Sequence, residues 1–267
     1  MSSGDAPRLP AVLVDSRGAL ERVMRGMVRR LPASAQDWVR RFWQGSAYTP
    51  PVGRVRFGDL RRTNPISGTW GLGRGQPVDR YYIERFLARR AGDIQGHVLE
   101  IGDDRYTRRF GGLSVTSSDV LNVSAGEPQT TIVADLCRPD QLPASRFDCV
   151  IIAQTLQLIA DLEAAVQGLH RMLRPGGVVL ATLPGISQTH YADWGAHWRW
   201  SFTGLSARTL FESCFPSDDV TVEMRGNVLA ATAFLQGLTA EDLTAAELDV
   251  DDRDYQVSIL VRAKKEG

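Results

Sequence analysis

The sequence predicts an α/β fold: a mostly parallel sheet of seven strands with helices on both faces, preceded by an N-terminal helical extension. Three observations predict it. Short apolar runs recur from Val98 onward, each too short to be a helix. Helical patterns separate them, over Val78 to Arg90 and Leu162 to Leu173, and such alternation gives a parallel sheet covered on both faces. The 267 residues, 43% hydrophobic and 23% charged, are enough for one large globular domain with an appendage.

The extension comes first. Leu20, Val23, Met24, Met27, Val28 and Leu31 recur at helical spacing, with Arg22, Arg25, Arg29 and Arg30 on the other side. A second helical pattern runs from Ser34 to Gly45, after a break at Pro32. A basic amphipathic helix could lie on an anionic surface. Packing on the main domain, or on a second copy to form a homo-oligomer, is the simpler reading. Up to Arg62 there are twelve arginines against five acidic residues. The stretch from Tyr48 to Pro65, rich in Pro, Gly and Arg, reads as a linker. The predicted division is 1–62 for the extension and 63–267 for the main domain.

The main domain opens with a helix over Val78 to Arg90. Strands are expected over Val98–Ile101, Leu113–Thr116, Thr131–Val133 and Asp148–Ala153. A helix over Leu162–Leu173 should stop at Gly176 and Gly177, giving way to a strand over Val178–Thr182. Val220–Met224 and Gln256–Arg262 complete the seven.

Composition narrows the function. A formal net charge of zero argues against a general nucleic-acid binder, whose domain would be strongly basic. Cys137, Cys149 and Cys214 are odd in number and lie in no CxxC or Cys/His spacing, so neither a disulfide framework nor a metal site is expected. The N-terminal sequence has no charged segment leading into an apolar one, and no run approaches the ~18 apolar residues of a membrane span. A cytoplasmic protein is expected.

The segment His97 to Gly112 carries the chemistry. Val98, Leu99 and Ile101 form a strand that turns at Glu100 and Gly102 into a loop, as at a nucleotide site. A pyrophosphate needs several glycines there, so that backbone and helix N-terminus can approach it. Here Gly102 is followed by Asp103, Asp104 and Arg105. The two carboxylates repel a phosphate and tolerate a cation. S-adenosylmethionine, with sulfonium and ammonium charges and no phosphate, fits this loop better than NAD. In such a sheet, ligands sit beyond the carboxyl ends of the strands, where Asp119, Asp135, Gln154 and Thr155 are expected. An acid about 20 residues after the first loop can take the ribose hydroxyls, and Asp119 has that spacing.

At these residues the chain resembles the class I S-adenosylmethionine-dependent methyltransferases. The resemblance rests on VLEIGDD, IVADL, FDCVIIAQTLQLIAD and LHRMLRPGGVVLATLPG, in that order, and extends from about Gly73 to Lys264. It implies a Rossmann-like fold and a set of cofactor contacts. These are Glu100, Gly102 and Asp103 near the methionine part, Asp119 with Val120 on the ribose, Asp135 with Leu136 beside the adenine, and Gln154 behind the sulfonium. Where that family commonly has EIGxGxG, this chain has Glu100-Ile101-Gly102-Asp103-Asp104-Arg105-Tyr106. Two further stretches, GLGRGQPVDRYYIERFL and GNVLAATAFLQGL, are similar to a bacterial subgroup found beside glycosyltransferases in surface-sugar or natural-product pathways.

Gly71, Gly73 and Gly75 read as a hinge before the helix that Pro77 starts. A lid over the cofactor is expected there, with Arg74 or Arg80 gripping the methionine carboxylate and Tyr81 beside them. The loop after the fifth strand holds His190, Tyr191, Asp193, Trp194, His197, Trp198 and Trp200. Clustered aromatics with a few polar groups suit a ring-shaped or sugar-like small-molecule acceptor. Tyr191, Trp194, Trp198 and Trp200, with Tyr106, are the expected acceptor contacts. His190, Asp193 and His197 are the candidate bases, a group that a hydroxyl acceptor needs most. These features favour O-methylation. N- or C-methylation, a cofactor-binding partner protein without transfer, and a nucleic-acid or protein methyltransferase are the alternatives; the last would want a basic domain and a D/N-P-P-Y/F turn where Gln154-Thr155-Leu156-Gln157 stands.

Overall fold

A computed structural model of the protein describes residues 27–28, 31–45 and 48–267. The pattern expected from Leu20 to Leu31 lies largely outside the described residues. The chain divides into two compact units, Met1–Arg61 and Arg62–Gly267. In the first, helix α1 (Ala33–Gln44) follows Pro32, and the Trp38 and Phe42 rings, one turn apart, stack at 5.9 Å.

The second unit holds seven strands in one sheet, with β1 (Gly96–Ile101), β2 (Val115–Asn122), β3 (Ile132–Val133), β4 (Phe147–Ala153), β5 (Leu173–Pro184), β6 (Val220–Arg225) and β7 (Ser258–Lys264). Their order is β3-β2-β1-β4-β5-β7-β6. The first five strands run parallel, and β7 is antiparallel to both β5 and β6. This is the Rossmann-like arrangement the sequence predicts. The central strands are near-continuous apolar runs because both sheet faces are covered. On one face Leu99, Val150, Ile152, Val179 and Ala181 pack with residues of α3 (Leu162–Met172) and α4 (Gly204–Glu212). On the other, Val98, Cys149, Ile151 and Leu180 meet Ile83, Phe86 and Leu87 of α2 (Val78–Arg89). Two further helices, α5 (Val228–Leu235) and α6 (Ala245–Leu248), lie between β6 and β7 in the chain.

Two expectations about elements need correction. The second strand runs to Asn122, well beyond Thr116. Helix α3 ends at Met172 and β5 begins directly at Leu173. Gly176 and Gly177 therefore lie in β5, where Gly176 has φ +80° and a Cβ on Gly177 would stand 3.0 Å from the Arg174 carbonyl oxygen.

Strand order reverses between β1 and β4, which opens a crevice beyond their carboxyl ends.

Candidate active site

The loop leaving β1 forms one side of that crevice. Glu100 is buried, and its carboxylate accepts from Tyr106 N (3.2 Å), Thr107 N (2.7 Å) and the Thr107 hydroxyl (2.7 Å). It thereby fastens the π-helical turn Thr107–Gly111 to the strand. Burial pushes its pKa up to about 7, against the lowering effect of those hydrogen bonds. Gly102 turns the chain with φ +98°, a conformation open to glycine at little cost, and nothing lies within 4 Å of where its Cβ would stand. Asp103 and Asp104 are not bare charges: Arg105 grips Asp103, with Nε 2.9 Å from Oδ2, and Arg108 pairs with Asp104.

A small pocket above this loop is lined by Arg80, Glu100, Ile101, Asp103, Arg105, Tyr106, Ala153 and Gln154. It presents carboxylates and guanidinium groups together, the complement of an amino-acid zwitterion and a poor match for a pyrophosphate. Arg80 comes from the first turn of α2, donates to the Tyr106 hydroxyl and lies over its ring at 5.7 Å. Tyr106 is itself nearly buried, and its pKa is pushed up to about 12, chiefly by burial. Gln154 follows β4 directly, with φ +47° and its N–H held by the Thr182 carbonyl at 2.9 Å. A non-glycine residue in that conformation at a strand end is a common mark of a ligand edge.

A cleft of about 300 Å³ adjoins this pocket and shares Arg80, Ala153 and Gln154 with it. Trp70, Trp194 and Trp198 supply aromatic wall, Leu72, Leu158 and Phe234 aliphatic and ring surface, and Asp79, Gln157 and Ser187 polar groups. Two polar atoms in its lining residues are buried without partners: Gln157 Oε1, an acceptor, and Trp198 Nε1, a donor. Gln157 Nε2 is spent on the Gln154 carbonyl at 2.8 Å.

The structure brings together Arg80, Glu100, Asp103, Tyr106, Gln154, Trp194 and Trp198 from the residues singled out in the sequence. Others stand apart. Asp119 is not at a strand end: it pairs with Leu99 inside β2, roughly 10 Å short of Asn122 at ~3.3 Å per residue. Its carboxylate meets His97 Nε2 (2.7 Å), the Thr131 hydroxyl (2.7 Å) and Arg146 (2.7 Å). The residue at the carboxyl end of β2 is Asn122, whose amide donates to the Gly102 carbonyl at 3.0 Å. Val120 and Leu136 are buried, Leu136 in the core with Leu142 and Leu169. Asp135 follows β3 and caps the next turn by accepting from Cys137 N at 2.9 Å.

The glycine segment is tied down. Gly71 and Gly73 have φ +90° and +83°, and a Cβ on Gly71 would stand 3.0 Å from the Leu238 carbonyl oxygen. Gln76 N donates to Glu241, Ala240 N donates to the Gln76 carbonyl, and Pro77 bridges Thr239. Here Gly71 serves close backbone approach in place of the expected hinge, while Gly73 has nothing within 4 Å of where its Cβ would stand. Arg74 pairs with Asp242 at 3.7 Å, and the Tyr81 hydroxyl donates to Asp249 at 2.9 Å, so both point to the 237–249 segment.

The expected bases do not line the cleft. His190 lies 3.2 Å from Asp193 and its ring sits 4.7 Å from that of Trp70, behind the wall. Asp193, His197 and Tyr191 are exposed. The Trp200 indole donates to the Ile159 carbonyl at 2.7 Å. Conversely, Trp70, Asp79, Gln157, Ser187 and Phe234 line the cleft unforeseen. Asp79 stood in the sequence beside Arg80 at a helix start; Phe234 arrives from α5 and carried no local signal.

Residues 97–181 match the family described as methyltransferase domain. A search of the curated proteins finds no match. Similar solved structures include a SAM-dependent methyltransferase from Archaeoglobus fulgidus, 14% identical with TM-score 0.48, covering 70% of this chain and 94% of that one. The N-methyltransferase NodS from Bradyrhizobium japonicum, in complex with S-adenosyl-L-homocysteine, is 15% identical with TM-score 0.44, covering 72% and 89%. Phosphoethanolamine N-methyltransferase 2 from Haemonchus contortus, in complex with S-adenosyl-L-methionine, is 17% identical with TM-score 0.48, covering 80% and 61%. The matched segment runs from β1 into β5 and includes the loop, Gln154 and the strand ends around the crevice. The likeness to a methyltransferase domain thus covers about a third of the chain.

Proposed function

We propose that the protein transfers a methyl group to a hydroxyl of a small, sugar-like or natural-product acceptor. The observation that carries this reading is the junction at Arg80, Ala153 and Gln154 between the zwitterion-matched pocket and the tryptophan-walled cleft. Bound S-adenosylmethionine supplies an electrophilic methyl group on a sulfonium with a good leaving group. The chain's own residues then have to position the acceptor, and positioning supplies much of the acceleration of such a displacement. Arg80 and Arg105 suit the cofactor carboxylate, Asp103 its ammonium, and the open space at Gly102 its close approach.

Flat aromatic walls and an unpartnered donor and acceptor favour a ring bearing hydroxyls over a peptide or a nucleic-acid strand. The similarity of the 71–87 and 226–238 stretches to the subgroup beside glycosyltransferases supports the same choice. In this reading residues 63–267 are the catalytic part and the protein works in the cytoplasm. Residues 1–62 then mediate self-association, for which the exposed Trp38 and Phe42 of α1 are suitable. Among the described residues no helix is long and apolar enough to cross a membrane, and no cluster could hold a metal ion.

Calorimetry with S-adenosylhomocysteine and NAD, followed by methyl transfer to p-nitrophenyl glycosides and to amino-sugar glycosides, tests the proposal. Binding of S-adenosylhomocysteine alone and transfer to hydroxyls are expected. Transfer only to amines would replace it with N-methylation, and binding without any transfer would favour a partner protein.

A further inference from the structure

We propose that Asp79 is the catalytic base of the cleft, receiving the proton of the acceptor hydroxyl; this rests on the hydroxyl reading above. Asp79 is the one carboxylate among the cleft's lining residues. It does not line the smaller pocket, whereas its neighbour Arg80 lines both. Successive residues at the start of α2 thus divide the work, Arg80 reaching the cofactor side and Asp79 facing the acceptor side alone.

The carboxylate is also available. Oδ1 accepts from Arg80 N at 2.8 Å, and Oδ2 has no hydrogen-bonding partner among the described residues. The three loop residues that could compete are absent from the lining, and two of them, His190 and Asp193, face each other. Gln157 Oε1 and Trp198 Nε1, both buried and unpartnered in the same wall, give a polyol two further anchors, one for a hydroxyl proton and one for a hydroxyl oxygen. Buried polar atoms left unpaired are costly, so a ligand that pairs both is favoured. A hydroxyl held by them beside Asp79 is oriented before it reacts.

In the reaction the acceptor oxygen forms its bond to the methyl carbon as the carbon–sulfur bond breaks, with the bonding pair remaining on sulfur. The hydroxyl proton passes to Asp79 and then to water. Burial raises the Asp79 pKa, against the lowering effect of the Arg80 charge, which makes it a stronger base than a surface carboxylate.

The test is Asp79→Asn in the full chain, with the fold checked by circular dichroism and thermal melting. Transfer to p-nitrophenyl glycosides should fall roughly 10²–10⁴-fold, while S-adenosylhomocysteine affinity by calorimetry stays within about twofold. A readout free of turnover accompanies it. In aspartate carboxyl-labelled protein saturated with S-adenosylhomocysteine, the ¹³C resonance missing from the variant should shift in the parent when glycoside is added. Unchanged transfer in the variant, or a resonance unmoved by a bound glycoside, would overturn the assignment and leave the hydroxyl reading intact. A large loss of S-adenosylhomocysteine affinity would overturn it differently, by making Asp79 a cofactor contact. Transfer by the parent to amines alone would remove both proposals together.

Discussion

Glu100 shows how a motif position and a physical task can be joined. The sequence marks it as the acid ending β1, close to the methionine part of the cofactor. In the structure Glu100 lines the small pocket, and its carboxylate clamps the turn at Thr107. Its pKa rises from 4.5 to about 7, first through burial. Between those values the folded chain keeps a proton that the unfolded chain has released. The associated stability is complete below pH 4.5 and is lost as pH climbs through 7, on the order of 3 kcal/mol at ~1.4 kcal/mol per unit. Glu100→Gln keeps an acceptor for the backbone N–H groups and cannot ionise, so that loss should vanish from urea unfolding measured across this range. A parent whose stability is flat from pH 4.5 to 7 would contradict the assignment. Asp79 lies at the other extreme: its residue type and helix-start position were legible, but its place in the cleft depends on α2 packing against the sheet.

At the scale of elements, β2 is where sequence and structure part. Ser117 and Ser118 read as a loop because they are polar, yet they are strand. Strand β3 pairs only with Leu121 and Asn122, so the first half of β2 has a neighbour on one side alone and tolerates polar residues. The longer strand carries Asp119 away from the ligand edge and leaves Asn122 there. Burial alone would raise the Asp119 pKa, but the Thr131 and His97 hydrogen bonds and the Arg146 charge outweigh it and hold the carboxyl below its usual range. Stability from this cluster is therefore present at neutral pH and lost on acidification. Asp119→Ala should cost roughly 2–4 kcal/mol in chemical denaturation, since it strands partly buried partners, and should leave S-adenosylhomocysteine affinity within about twofold. Asn122→Ala should do the reverse, loosening the Gly102 loop and weakening binding about tenfold with little change in stability. If Asp119→Ala instead abolishes binding in a protein as stable as the parent, Asp119 is a cofactor contact and Asn122 is not the ligand-edge residue of β2.

Across the whole molecule, the sheet and its helices were legible, because alternation of short apolar runs with helical patterns is a local signal. The tryptophan-walled cleft was legible in part. Trp194 and Trp198 stand out as a cluster, whereas Phe234, and Glu241 that pins the glycine segment at Gln76, come from the stretch between β6 and β7. They meet the cleft through contacts between residues some 160 positions apart, which no window of sequence displays. The central claim is that one crevice holds the cofactor at the β1 and β4 ends and presents its methyl group to the tryptophan-walled cleft. A crystal structure with S-adenosylhomocysteine bound tests it most directly. The amino-acid end is expected between Arg80, Asp103 and Arg105, the sulfur beside Gln154, and open space from that sulfur toward Asp79. A cofactor lying elsewhere on the sheet, or one whose sulfur faces away from Trp194 and Trp198, would contradict it.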